Sequence, residues 1–401
     1  MTIACADCGS AQTLPDLPHG AKAECHRCDR LLAKRTRSGF DVTLACALAV
    51  FILLPAGVFL PLMDSTIKNL VFEESKLVSS VATIYTEVWF PFAFGFLFFA
   101  FLFPALRAAF QMVVLLTLRF RWPLWQRGRL FRWSEELRVW SMTDVVVIAG
   151  LIAYFRAQIP ADVEVRIGAF CYLAVAALAL LGDLTLDRRV VWNLIMADEA
   201  VGGKRRDTPS CEVCELIVTS RRAGDPCPRC GSMLGNDWLR FWPALGAVAA
   251  ALPLCIPAYA ASVMVNDQLT GVLEHTVLGT VQLLADRGYW QFGVVVLVAG
   301  VAIPVAVLIG MIWLLIRVRF PLKNGLVIRT RVYRVLHRLV RWPMIIPFIA
   351  ALAAPIVDFR GIDDIVAGPG STPLFLLIGL LMLAVRLFQP RLMWNAAGEA
   401  Q

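Results

Sequence analysis

Eight of the eleven cysteines fall in four Cys-x-x-Cys pairs: Cys5-Ala6-Asp7-Cys8, Cys25-His26-Arg27-Cys28, Cys211-Glu212-Val213-Cys214 and Cys227-Pro228-Arg229-Cys230. Two thiolates on one tight turn can grip an ion at a Zn–S distance of about 2.3 Å, and a second such turn completes a tetrahedral shell. The gaps between paired turns are sixteen and twelve residues, close to zinc-ribbon spacing. Gly9, Gly20, Pro226, Pro228 and Gly231 supply the turns around them. The pattern assigns one zinc to Cys5, Cys8, Cys25 and Cys28, and a second to Cys211, Cys214, Cys227 and Cys230. Four sulfurs leave no position for water, and no HExxH or similar set is present, so the two ions are structural. His26 reads as a bystander. The competing readings are structural disulfides and a thioredoxin-like redox pair. A reducing compartment disfavours the first, and the lack of a βαβ pattern disfavours the second.

The remaining sequence is dominated by apolar runs. Hydrophobic residues make up 59% of the 401, charged residues 17%, and mean hydropathy is +0.69. Soluble domains hold about 45–50% apolar and about 25% charged residues, so this excess needs a second solvent. Candidate spans of the roughly 20 residues that hydrocarbon demands lie at 41–62, 88–118, 142–159, 167–185, 241–265, 292–316, 343–357 and 373–388. The second is overlong and contains Pro104 and Arg107, which predicts a kinked or tilted helix. The seventh carries Pro343, Pro347 and Pro355 and is the weakest of the eight. Cys46, Cys171 and Cys255 fall inside runs and read as small hydrophobes.

The net charge of +8 is distributed by loop. Six arginines from Arg119 to Arg138 follow the second run, and eight basic residues from Arg317 to Arg341 follow the sixth. The opposite loops are acidic, with Asp64, Glu73, Glu74, Asp162, Glu164, Asp267, Glu274, Asp363 and Asp364. The positive-inside rule puts the basic loops, and with them both termini, in the cytosol. Membrane topology thus accounts for the basic charge, and no nucleic acid partner is implied. Residues 1–39 lack the apolar core of a secretory signal, so the first span is expected to insert by itself.

The chain repeats itself. Trp140 and Trp192 are 52 positions apart, as are Trp342 and Trp394, and Phe103-Pro104 corresponds to Ile303-Pro304. Four spans per copy is an even number, so both copies enter from one side as parallel repeats. The resulting fold class is an all-α polytopic membrane protein of about eight helices in two parallel four-helix repeats, each preceded by a small four-cysteine zinc ribbon. Its expected domains are a ribbon over 1–39, a first repeat over 40–200, a second ribbon over 201–237 and a second repeat over 238–401.

Charges inside spans are costly and mark functional sites by default. Arg107 follows the kinking proline, and Ser141 and Asp144 share one face at the start of the third span. The second half has Val307, Pro343 and Ile346 at the matching positions. Arg107, Ser141 and Asp144 are therefore expected to line a polar site that gates a transported molecule or relays a proton. The plainer alternative is that the two charges mark helix ends, with Arg107 snorkelling to the headgroups.

These features resemble the paraquat-inducible protein A family of Gram-negative inner-membrane proteins. The residues that carry the likeness are the four cysteine pairs, the proline in the second span of each half, Trp140-Ser141-Met142-Thr143-Asp144-Val145, and Asp187-Arg188-Arg189-Val190-Val191-Trp192. Gln389 replaces the Asp187 aspartate in the second copy. The resemblance implies a non-enzymatic component moving phospholipid between inner and outer membranes beside a periplasmic MCE-domain partner. A zinc or redox sensor and an assembly scaffold are the alternatives. An enzyme is disfavoured, because the four histidines are scattered and no nucleophile groups with a base. No P-loop is present, which argues against ATP hydrolysis.

Cysteine labelling in intact cells should find 119–141, 186–240 and 317–341 inaccessible from the periplasm and the loops near Asp64 and Asp267 accessible. Periplasmic labelling of Cys211–Cys230 would overturn this topology.

Overall fold

In the computed structural model each half of the chain begins with knuckle-like turns and continues into apolar helices. The structure describes residues 2–14, 17–18, 20–34, 39–67, 70–78, 90–124, 126–158, 162–195, 210–218, 224–235, 237–268, 271–286, 288–349 and 363–398. In the first ribbon, β1 (Thr2–Ala4) pairs with β2 (Ala11–Thr13) and β3 (Lys22–Glu24) with β4 (Leu31–Lys34), so each cysteine pair occupies a hairpin turn. The second ribbon closes its two turns with single bridges, Ser210 to Ile217 and Pro226 to Met233.

The first repeat runs α1 (Gly39–Phe59), β5 (Pro61–Ile67), β6 (Leu70–Lys76), α2 (Phe90–Leu97), a π turn at Phe98–Leu102, α3 (Phe103–Arg119), α4 (Arg127–Trp140), α5 (Thr143–Ala157), β7 (Asp162–Val165), α6 (Ile167–Thr185) and α7 (Arg188–Ile195). The second runs α8 (Asp237–Ala260), β8 (Met264–Gln268), β9 (Gly271–His275), α9 (Val277–Asp286), α10 (Trp290–Leu297), a π turn at Val298–Ala302, α11 (Ile303–Arg319), α12 (Leu326–Leu339), a 3₁₀ turn at Trp342–Met344, β10 (Asp363–Ala367), α13 (Ser371–Leu387) and α14 (Arg391–Ala396). In each half the first and fourth apolar helices lie along one another: α1 against α6, and α8 against α13.

Among the described residues, six helical stretches are long and apolar enough to cross a membrane: 39–59, 93–119, 127–155, 167–185, 240–260 and 290–319. The third contains both α4 and α5, which meet at Ser141 and Met142. The eighth expected span is α13, whose 17 residues reach about 25 Å against a hydrocarbon core of about 30 Å. The seventh, 343–357, is helical as far as 349, and its remainder lies outside the described residues. Among the described residues, the eight expected spans are thus met by six of full length.

The all-α expectation also needs amendment. Among the described residues, two three-stranded antiparallel sheets, β6-β5-β7 and β9-β8-β10, stand at the helix ends remote from the ribbons. Their strands are short and acidic, so hydropathy reads them as loops. Pairing with a third strand that arrives about 100 residues later is what orders them.

The expected kink in the second span is a π turn immediately before Pro104. There Phe103 N–H donates to the Phe98 carbonyl, one residue further back than in an α-helix. Proline has no N–H, so the carbonyls of Phe99 and Ala100 lose their donors within the helix. Both are answered from elsewhere in the first repeat: Met142 N–H reaches Phe99 O at 3.3 Å, and the Tyr172 hydroxyl reaches Ala100 O at 2.8 Å. The second repeat has the same turn before Pro304, and the Tyr259 hydroxyl donates to Gly300 O at 2.9 Å. Tyr172 lies on the fourth span of its half and Tyr259 on the first span of the other, so the repeats meet one requirement from different helices.

Replacing Tyr172 with Phe should leave a buried carbonyl unpaired and lower stability by about 1 kcal/mol in a detergent unfolding titration. Tyr154→Phe, at a residue outside the bulge, should be neutral.

Candidate functional site

Each knuckle is built by the same backbone device. The first cysteine's carbonyl accepts from the residue after the second cysteine in three of the four turns, through Gly9, Asp29 and Gly231 at 2.8–3.0 Å. That following residue has positive φ in all four: Gly9 (74°), Asp29 (57°), Glu215 (58°) and Gly231 (69°). Glycine takes this conformation freely; Asp29 and Glu215 adopt it with carboxylates engaged in ion pairs. Asp29 meets Arg331 at 2.6 Å, and Glu215 meets Arg189 at 3.1 Å and Arg30 at 3.7 Å. Burial pushes the Glu215 carboxyl up from its ordinary value, and the guanidiniums of Arg30 and Arg189 pull against that.

The turns bring the sulfurs together. All four Sγ atoms of each set lie within 4.8 Å of one another, and the ligands are buried. The closest pairs are Cys5–Cys28 and Cys8–Cys25 at 3.6 Å, Cys211–Cys230 at 3.5 Å and Cys214–Cys227 at 3.6 Å. A tetrahedral ion with Zn–S of about 2.3 Å sets its ligands about 3.8 Å apart, so both sets fit such an ion. Disulfide sulfurs would stand at about 2.05 Å, and all eleven cysteines are free. The two four-cysteine groups expected from spacing are therefore assembled as metal-competent tetrads. Cys46, Cys171 and Cys255 belong to neither.

The ribbons rest on one another's repeats. Arg334 of α12 donates to Asp7 Oδ2 at 2.8 Å, to Cys28 O at 2.7 Å and to Cys28 Sγ at 3.3 Å. Arg27 stacks over the Trp394 ring at 4.6 Å. The second ribbon meets the first repeat: Leu216, Val218 and Leu234 share an apolar cluster with Val114, Leu115, Phe131, Val191 and Trp192. A Cβ on Gly128 would come within 1.7 Å of Arg229 O, so only glycine allows α4 this approach to the ribbon.

Within the membrane part, a small cleft lies between α1, α3 and α6. Thr43, Arg107, Gln111, Ser141 and Thr143 contribute its polar wall, beside Cys46, Pro104 and Gly182. Arg107 is 7% exposed. Its Nη2 is ion-paired with Asp183, which also meets Arg138 Nε at 3.3 Å, while Arg107 Nε has no partner among the described residues. Nearby Glu135 pairs with Arg188 at 3.0 Å and leaves Oε1 unpartnered among the described residues. The wall can hold an anionic or strongly dipolar group, because it combines a fixed guanidinium with hydroxyl and amide groups.

Of the three expected polar-site residues, Arg107 and Ser141 border this cleft together. Asp144 points elsewhere: its carboxylate is ion-paired with Arg341 of the second half. Asp183 and Arg138 are the partners that sequence reading missed. At the offset of 202 set by Trp140 and Trp342, they correspond to Val385 and Val340, so the network has no copy in the second repeat. The rule that flagged Arg107 applies equally to Asp183, an acid within the 167–185 run.

Paired cysteine tetrads on a duplicated bundle of apolar helices define a multi-pass membrane protein with two metal-competent ribbons. The family model for paraquat-inducible protein A matches residues 40–196 and 243–398, one match per repeat, and the chain belongs to that family. Intermembrane transport protein PqiA of Escherichia coli (strain K12) is 26% identical over 411 residues, covering 100% of this chain and 97% of the relative. A Haemophilus influenzae protein named "Probable intermembrane transport protein" is 23% identical, covering 98% and 95%. Lipophilic envelope-spanning tunnel protein A of E. coli (strain K12) is 24% identical over 266 residues, covering 65% and 61%. No solved structure matches. The named relatives are transport proteins, consistent with the expected non-enzyme.

Purified protein should hold two metal ions per chain, and Cys5→Ser or Cys227→Ser should each remove one and reduce yield, because such sites contribute folding energy. Elemental analysis returning one ion or none from folded wild-type protein would refute the assignment.

Proposed function

We propose that this protein is the inner-membrane component of a system that moves phospholipid between the inner and outer membranes. It works beside a periplasmic MCE-domain partner, with zinc in both ribbons and both termini in the cytosol. The observation that carries this reading is the cleft: a polar wall around a buried arginine, open between three apolar helices, in a chain related along its whole length to a protein named for intermembrane transport.

Arg107 and Ser141 receive the phosphate-bearing headgroup in this reading, while the acyl chains stay among the apolar faces of the spans. Asp183 holds the Arg107 guanidinium against the wall and balances its charge when no headgroup is present. Asp144 acts at a distance from the cleft, through its ion pair with Arg341, and keeps the two repeats in register. The second repeat, with Val307 and Val385 in place of the charged pair, supports this working half.

In a deletion strain, Arg107→Ala and Asp144→Asn should each abolish envelope function with protein level and metal content unchanged. Arg107→Lys should restore part of it, because the charge stays while the forked geometry is lost. Full complementation by both the Ala and the Asn variants would remove the site from this region. Recovery of no MCE-domain protein on pull-down from native membranes would count against the partner.

A further inference from the structure

Each ribbon precedes one repeat in the chain and docks on the other. Four contacts hold the first ribbon to the second repeat. Arg334 donates to Asp7 and to Cys28. Arg331 meets Asp29 at 2.6 Å. Arg27 covers the ring of Trp394. The Arg391 side chain lies against Gly9, where an added Cβ would meet its Nε at 3.0 Å. These contacts come from α12 and α14. The second ribbon is held to the first repeat by α4, through Gly128 and Arg129 against Arg229 and Gly231, and by the apolar floor of Phe131 and Trp192. Each ribbon also keeps lesser ties to its own repeat: Arg189 to Leu32 O at 2.6 Å in the first, and Arg240 to Glu212 at 3.9 Å and Arg391 to Ser210 at 2.7 Å in the second.

The contact chemistry depends on the tetrad. A divalent ion held by four thiolates carries a net charge of −2. Arg334, in touch with both Sγ and O of Cys28, is placed to balance that charge from the other repeat. Without an ion nothing draws the four sulfurs together, so the knuckle relaxes and Arg334 loses its partner. The basic face of α12, carrying Arg331 and Arg334, thus fits a metal-filled ribbon better than an empty one.

We propose that metal in each ribbon fixes the conformation of the opposite transmembrane repeat, with Arg334 as the positioning residue that couples the first tetrad to α12. This rests on reading the tetrads as metal sites. Because the lipid cleft lies in the first repeat, the second ribbon bears on it most directly.

The test uses hydrogen exchange on the full chain, purified with zinc, and metal analysis of every variant. Cys25→Ser should raise exchange about tenfold in Leu326–Leu339, which touches the first ribbon alone, and leave Arg127–Trp140 at the wild-type level. Cys227→Ser should do the reverse. Arg334→Gln keeps all eight ligands and remains informative where a cysteine variant does not fold. In it, zinc in the first tetrad should be stripped at about tenfold lower chelator concentration, with the second tetrad unchanged. Loosening of each ribbon's own repeat, equal loosening of both, or an Arg334→Gln protein that holds both ions as tightly as wild type would each overturn the coupling. A wild-type protein that binds no metal would instead refute the metal reading on which it rests.

Discussion

Hydrocarbon offers no hydrogen-bond partner, so each departure from a straight apolar helix must be answered by another part of the protein. The π turn at Phe98–Leu102 and Pro104 together free two carbonyls, and the break between α4 and α5 delivers Met142 N–H to one of them. The same break places Ser141 on the cleft. Tyr172 answers the other carbonyl and thereby fixes α6, the helix that carries Asp183, against the bulge. One local irregularity thus sets the separation of three helices and the shape of the cavity between them.

Duplication supplied two copies of this arrangement, and the copies have diverged in what they bury. Both keep the π turn, the proline and the tyrosine-capped carbonyl. Only the first keeps the ionic set of Arg107, Asp183 and Arg138. A buried pair of this kind adds little to stability, because desolvation offsets much of its attraction. Its presence in one half and apolar replacement in the other fits selection for chemistry in the first and for packing in the second. Asp144 and Arg341 then bridge the unlike halves near their ribbon-side ends.

Much of this was legible in the sequence where the signal is local. Cysteine pairs declare their geometry through a three-residue turn, and both tetrads assembled as their spacing required. Hydropathy located eight runs, which meet six long apolar helices among the described residues, and the bend in the second. The two sheets escaped because their strands are short, acidic and completed by a distant third strand. Asp183 escaped because it sits two residues from the end of its helix, where a charge reads as a boundary. The placement of each ribbon on the far repeat left no trace, since arginines such as Arg331 and Arg334 look the same whether they meet lipid headgroups or Asp29 and Asp7. The positive-inside count cannot tell these two uses apart.

The crossing of the ribbons has a consequence in time. A ribosome adds about 5–20 residues per second. The second ribbon finds Arg189 already made, 26 residues behind Glu215, and can dock within seconds of leaving the tunnel. The first ribbon must wait for Arg334, 306 residues after Cys28, which takes roughly 15–60 s. During that interval Asp29 and Asp7 lack Arg331 and Arg334, their partners from the second repeat. The first ribbon is therefore made before either repeat and is among the last parts to be seated, and its docking marks the arrival of the second repeat.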